Sequence, residues 1–143
     1  MIEIFLVDDN PFMRKTMKQL IELDAAFKVC GEAASVEDAL KALEDLKPDI
    51  ALVDISLGGD ERGIELIKNI RSLGHRFSIL TVSLHEEALY ADRVYAAGAQ
   101  GYLMKQDAPE RIIHAIQHIL SSGPARGKEA FYRGTSPITT LGS

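Results

Sequence analysis

The chain has 143 residues, 46% of them hydrophobic and 26% charged, with a formal net charge of -5. That length supports a single domain with its own apolar core, with no need of disulfides or a structural metal. The acidic balance and the lack of a Lys/Arg stripe argue against direct nucleic acid contact by this chain, because affinity for a phosphate backbone comes mostly from clustered basic side chains.

No apolar run approaches bilayer length, which argues against a membrane span, and Met1-Ile2-Glu3-Ile4 enters an apolar segment without a basic leader. The expectation is a soluble, cytoplasmic chain. Cys30 has no sequence partner for a disulfide or a metal site and reads as a small buried hydrophobe.

Short β-type runs at residues 2–7, 27–31, 50–53, 78–82 and 101–103 alternate with longer helical patterns. Their mostly continuous hydrophobicity marks strands buried on both faces, and the repeated alternation specifies an α/β fold with a parallel sheet covered by helices on either side. Met13, Met17, Leu20 and Ile21 make the first helical stripe, Ala39, Leu40 and Leu43 the second, and Ile64, Ile67 and Ile70 the third. Ser35, three residues before Asp38, reads as the N-cap of the second helix and Pro48 as its stop. Asp107 and Pro109 open the last helix, which runs through Ile112, Ile113, Ile116 and Ile119. Beyond a domain of residues 1–121, residues 122–143 are rich in Gly, Ser, Thr and Pro and read as a linker or disordered tail.

Open parallel sheets bind ligands at the carboxyl ends of their strands, where strand order reverses. Here the first strand runs into Asp8-Asp9, the third into Asp54, the fourth into Ser83 and the fifth, after Met104, into Lys105. In a 2-1-3-4-5 sheet these groups converge. Singly, each is equally well a solvated loop residue or a helix cap. Together, three carboxylates in one cleft repel one another unless a hard divalent cation joins them, and Mg²⁺ fits an all-oxygen set that retains some of the ion's waters. Such a cluster suits phosphoryl transfer: one carboxylate is the nucleophile, the cation and an ammonium neutralise charge, and a hydroxyl bonds an oxygen of the moving group.

The strings Phe5-Leu6-Val7-Asp8-Asp9-Asn10-Pro11, Leu52-Val53-Asp54-Ile55-Ser56-Leu57, Thr81-Val82-Ser83-Leu84-His85 and Gly101-Tyr102-Leu103-Met104-Lys105 resemble those of response regulator receiver domains. The resemblance spans residues 1–121 and implies a flavodoxin-like, doubly wound, five-stranded parallel sheet of order 2-1-3-4-5 with five helices. It also implies that Asp54 is the phosphoacceptor in a two-component phosphorelay, with a sensor histidine kinase as donor. By the same resemblance Asp9 and Asp54 bind Mg²⁺ directly, Asp8 acts through water, and Ser56 offers its backbone carbonyl. Ser83 and Lys105 hold phosphoryl oxygens, and Tyr102 is the switch aromatic that moves inward when Ser83 shifts, changing the outward face of the last helices.

Asp9-Asn10-Pro11, Leu84-His85-Glu86-Glu87 and Ala97-Gly98-Ala99-Gln100-Gly101-Tyr102-Leu103 are similar to the NarL/FixJ-like regulators. The output of those proteins is a LuxR-type helix-turn-helix, which implies control of transcription through a DNA-binding domain that these residues do not contain, and phosphorylation-dependent homodimers. The tail reads as a linker to such a domain, with a single-domain regulator as the other possibility. One departure is local: Gly58 stands where a Pro is common, and Gly59-Asp60-Glu61-Arg62 holds one residue more than usual before Gly63.

Two other functions compete with this one. Haloacid-dehalogenase-like phosphatases also place an aspartyl nucleophile after their first strand, but they need Asp-x-Asp and here Asn10 stands two after Asp8. An unphosphorylated docking module would have lost acidic or Lys positions, and all of them are retained. His114 and His118 have metal-ligand spacing but no third ligand and read as exposed, and His85 reads as a surface residue.

Overall fold

Five apolar runs form strands of one parallel sheet, and the four inner ones, the first, third, fourth and fifth, are largely buried while the second lies at an edge. A computed structural model describes residues 1–59, 61–122 and 131–134. In chain order these give β1 (Ile2–Val7), α1 (Pro11–Glu22), β2 (Phe27–Ala33), α2 (Val36–Ala42), β3 (Ile50–Asp54) and α3 (Arg62–Ser72). There follow β4 (Ser78–Ser83), α4 (Glu87–Ala97), β5 (Gly101–Met104), α5 (Ala108–Ser121) and β6 (Tyr132–Arg133). The sheet order is β2-β1-β3-β4-β5-β6 with every pair parallel. At its centre, β3 is buried at every position.

Alternating residues of these strands feed two cores. Ile4, Leu6, Ile50, Leu52, Leu80 and Leu103 pack with Met17 and Ile21 of α1 and with Ile112, Ile116 and Ile119 of α5. Phe5, Val7, Ala51, Val53 and Tyr102 pack on the other face with side chains of α2, α3 and α4. The sheet is thus wound on both sides, and the helical stripes of the sequence are what fill the two layers.

Caps fix where the helices begin. Asn10 accepts at its side-chain oxygen from the N–H groups of Phe12 (2.9 Å) and Met13 (3.2 Å), with Pro11 in the first turn. Ser35 caps α2 through Asp38 N–H at 3.1 Å, as its spacing predicts.

Four expectations need correction. The sheet has six strands, not five, because residues 132–133 of the predicted tail add a parallel strand to β5. A two-residue strand is too short to leave any periodicity. Pro48 does not stop α2: the helix ends at Ala42 with Leu43 as C-cap, and the next residues make turns before β3. Asp107 stands at the N-cap of α5 but its side chain caps nothing, because a 3₁₀ turn over Lys105–Asp107 leads into the helix and holds it in helical conformation. Cys30 is half-buried rather than buried, and it is the unmatched residue where the β1–β2 register shifts between Ile4 and Phe5. The remainder of the tail, 123–130 and 135–143, lies outside the described residues.

The chain behind β3 is packed tightly enough to need a glycine. A Cβ on Gly63 would collide with the Asp54 carbonyl oxygen and lie 2.7 Å from Ile55 Cα, both backbone atoms that cannot swing aside. Gly63→Ala is expected to cost about 2–3 kcal/mol, read as a lower urea midpoint at unchanged m-value.

Candidate functional site

β1 and β3 are neighbours at the centre of the sheet, so the residues that follow them open onto the same edge. There Asp8, Asp9 and Asp54 each offer a carboxylate oxygen within 4.8 Å of the others, the one such acidic or His/Cys grouping among the described residues. Asp8 and Asp54 are buried, at 7% and 4% exposure, while Asp9 is open to solvent.

One cation answers this charge. Lys105, just past β5, places Nζ 2.9 Å from Asp8 Oδ2 and 3.4 Å from Asp54 Oδ2. Backbone donors complete the pairing: Asn10 N–H reaches Asp8 Oδ1 at 2.9 Å, Ser56 N–H reaches Asp54 Oδ1 at 3.1 Å, and Gly58 N–H reaches Asp9 Oδ2 at 3.2 Å.

The electrostatics remain unbalanced. Burial lifts the Asp54 carboxyl above the ordinary carboxylate range and the Asp8 charge pushes the same way, against the pull of Lys105 and the Ser56 N–H. Burial alone would lower the Lys105 ammonium, but its bonds to Asp8 and the Asp54 charge outweigh that and leave it raised. Two buried carboxylates thus share one ammonium, and a second cation would find an all-oxygen seat. The donor set fits a hard divalent ion such as Mg²⁺. The Ser56 carbonyl accepts from Gly59 N–H at 2.7 Å, which leaves its second lone pair.

The other predicted residues lie around this cluster. Ser83 ends β4 fully buried, its hydroxyl oxygen accepting from His85 N–H at 2.9 Å. Tyr102 is already fully buried on β5, so the inward movement expected of it on phosphorylation is not needed to reach this position, and its hydroxyl donates to the carbonyls of His85 (2.8 Å) and Glu86 (3.4 Å), the residues leading into α4. His85 itself is exposed, as expected, and so are His114 and His118, whose rings lie 6.2 Å apart.

Three contributors escaped the sequence reading. Arg14, one turn into α1, donates to the Asp8 carbonyl at 2.6 Å and to Glu32 at 3.2 Å, tying α1 and β2 to the site. Asn10 was visible only as part of a motif, although Asn-Pro ahead of an apolar stripe is a capping signal. Glu61 accepts from Tyr90 at 2.8 Å and from Arg93 at 2.9 Å, joining the loop after β3 to α4.

Comparisons with known proteins bear on this geometry directly. The family described as "Response regulator receiver domain" matches residues 4–117. The nitrate/nitrite response regulator protein homolog of Haemophilus influenzae is 33% identical over 120 residues, covering 82% of this chain and 56% of that protein. The nitrate/nitrite response regulator protein NarL of Escherichia coli is 36% identical over 115 residues, covering 79% of this chain and 52% of that protein. A crystal structure of a LuxR-family two-component response regulator from an Aurantimonas species superposes with a TM-score of 0.79 at 33% identity, covering 90% of this chain and 91% of that one.

An acidic triad answered by a lysine at the edge of a doubly wound sheet, with a family match over most of its length, makes this chain a member of the response regulator receiver domains. Its relatives set it more narrowly among the LuxR/NarL-type two-component regulators, as a signalling module. The chain spans about half the length of the curated relatives it matches. Among the described residues no helix is long and apolar enough to cross a membrane.

Asp54→Asn removes the less well compensated buried charge. A carboxyl with a raised folded-state pKa weakens the fold above that pKa, and the penalty vanishes below the unfolded value, near 3.8. In metal-free buffer at neutral pH the variant is expected to melt about 2–4 °C above the wild type. The gap should close as the pH falls toward 4, as followed by thermal denaturation across pH.

Proposed function

We propose that Asp54 accepts a phosphoryl group from a sensor histidine kinase. The observation that carries this is the gathering of Asp8, Asp9 and Asp54 beside a single lysine that pairs with Asp8 and Asp54, a charge arrangement incomplete without a divalent cation. Phosphoryl transfer needs little covalent chemistry from the protein, only a positioned nucleophile and neutralised oxygens.

In this reading an Asp54 oxygen attacks phosphorus in line while the phosphorus–nitrogen bond to the donor imidazole, protonated on its other nitrogen, breaks and leaves an acyl phosphate and a neutral histidine. Asp9 and Asp54 would hold Mg²⁺ directly, Asp8 through water and Ser56 through its carbonyl. When bound, the ion would supply charge neutralisation at the phosphoryl oxygens. Lys105, already 3.4 Å from Asp54, neutralises another oxygen, and the Ser83 hydroxyl, its oxygen still accepting from His85 N–H, donates its hydrogen to the third. Water that reaches the acyl phosphate returns Asp54 to its free form, so the domain limits its own signal.

Tyr102 reports the change, because its hydroxyl bonds the carbonyl of His85, whose N–H holds the Ser83 hydroxyl oxygen. The α4-β5-α5 face would then regulate a DNA-binding helix-turn-helix domain joined through the tail, placing the complete protein in the cytoplasm as a transcription regulator. Residues 1–121 form the receiver unit, 131–134 an addition to its sheet. Phosphorylated chains would pair as homodimers.

Acetyl phosphate with Mg²⁺ is expected to label the wild type and leave Asp54→Asn unlabelled, by intact-protein mass. The labelled wild type should sediment as a heavier species than the unlabelled chain. Label retained by the variant would move the acceptor elsewhere, and an unchanged sedimentation coefficient would remove the dimer.

A further inference from the structure

Residues 131–134 lie across β5 and touch elements on both faces of the sheet. Tyr132 N–H donates to Gln100 O at 2.8 Å and Gly134 N–H to Tyr102 O at 2.7 Å, so the segment is bonded to β5 as a sixth strand. On the α4 side, Phe131 is buried in the cluster that contains Tyr102 and meets the Tyr95 ring edge-on at 5.4 Å. Arg133 approaches Asp92 of α4 at 3.5 Å. On the α5 side, Tyr132 packs with the other core beside His118 at 5.4 Å, and Arg111 donates to Gly134 O at 2.8 Å.

The fit is close: a Cβ on Gly134 would lie 2.7 Å from Leu103 Cδ1 and 3.0 Å from Tyr102 O. Two aromatic rings entering opposite cores from adjacent positions make this an anchored segment, not a strand resting on an exposed edge.

From the strap a line of contacts runs to the site. Gly134 is bonded to the Tyr102 backbone, Phe131 shares the core that encloses the Tyr102 ring, the Tyr102 hydroxyl holds His85 O, and His85 N–H holds the Ser83 hydroxyl. We propose that residues 131–134 are a positioning strap. They wall in Tyr102 and so hold the Ser83 loop in the geometry that phosphorylation uses.

The proposal rests on the reading of Asp54 as phosphoacceptor and goes beyond it by giving the tail a part in the reaction. Coupling between two equilibria is reciprocal, so a strap that stabilises the geometry adopted on phosphorylation must itself be tightened when that geometry is adopted.

Two variants of the 143-residue chain detach the strap by different means. Gly134→Val puts a branched side chain against Leu103 and the Tyr102 carbonyl, and the double variant Phe131→Ser, Tyr132→Ser removes both anchoring rings. Amide hydrogen exchange reports whether the β6 and Tyr102 region has lost protection, and circular dichroism whether the fold is kept. Each detached variant is expected to take label from acetyl phosphate about five-fold more slowly than the wild type, because a smaller fraction of its chains holds the competent geometry. Phosphorylation of the wild type is expected to slow exchange at Tyr132 and Gly134, a change that a merely structural strap would not show.

A variant with an exposed strap that labels at the wild-type rate would overturn the proposal, and so would exchange at Gly134 that phosphorylation leaves unchanged. Protection of β6 persisting in both variants would overturn the claim that these contacts hold it. A wild type that takes no label would overturn the phosphoacceptor reading, and the proposal with it.

Discussion

Two buried carboxylates and one open to solvent, gathered at the ends of β1 and β3, set the constraint on which the rest of the structure depends. Mutual repulsion and desolvation oppose their ionisation, and Lys105 offsets only part of the cost. Everything nearby serves to keep them in place. Gly63 lets the chain turn back against Asp54, the N–H groups of Asn10, Ser56 and Gly58 each hold one carboxylate, and Arg14 pins the backbone of Asp8. A site so held stores unfavourable electrostatics that a divalent cation or a transferred phosphoryl group can relieve, and that relief is what couples ligand to conformation.

The relief has a route outward. Ser83, His85, Tyr102 and the start of α4 are joined by hydrogen bonds, and Glu61 ties the loop after β3 to Tyr90 and Arg93 on the same helix. A change at Asp54 therefore meets α4 from two sides. The loop before Gly63 turns sharply here: Gly58, Gly59 and Glu61 all take positive φ, at 70, 83 and 60°. For Glu61 that conformation is costly, and its paired contacts with α4 are what compensate. This loop is thus a link between the site and the helix beside it.

The sheet and most of the cluster were legible in the sequence because burial on both faces leaves continuous apolar strands, and chemistry in such folds gathers where those strands end. Asp8, Asp9, Asp54 and Lys105 follow from that rule with no distance known. What escaped has physical reasons. β6 is two residues long in a Gly/Ser/Pro-rich stretch, and its stability comes from Phe131 and Tyr132 meeting cores assembled from distant segments. Pro48 is a helix-stop signal in composition, but α2 ended earlier, at Ala42. Arg14 sits on a helix face whose neighbours depend on how α1 packs beside β2, information that periodicity does not hold.

The account stands on the carboxylate cluster as a seat for a divalent cation, and calorimetric titration of the metal-free chain with Mg²⁺ tests this most directly. A single saturable site is expected for the wild type, with its heat lost in Asp9→Asn, a substitution at an exposed position that leaves the fold intact. A folded wild type that gives no heat and no gain in thermal stability with Mg²⁺, or an Asp9→Asn chain that binds as tightly, would contradict it.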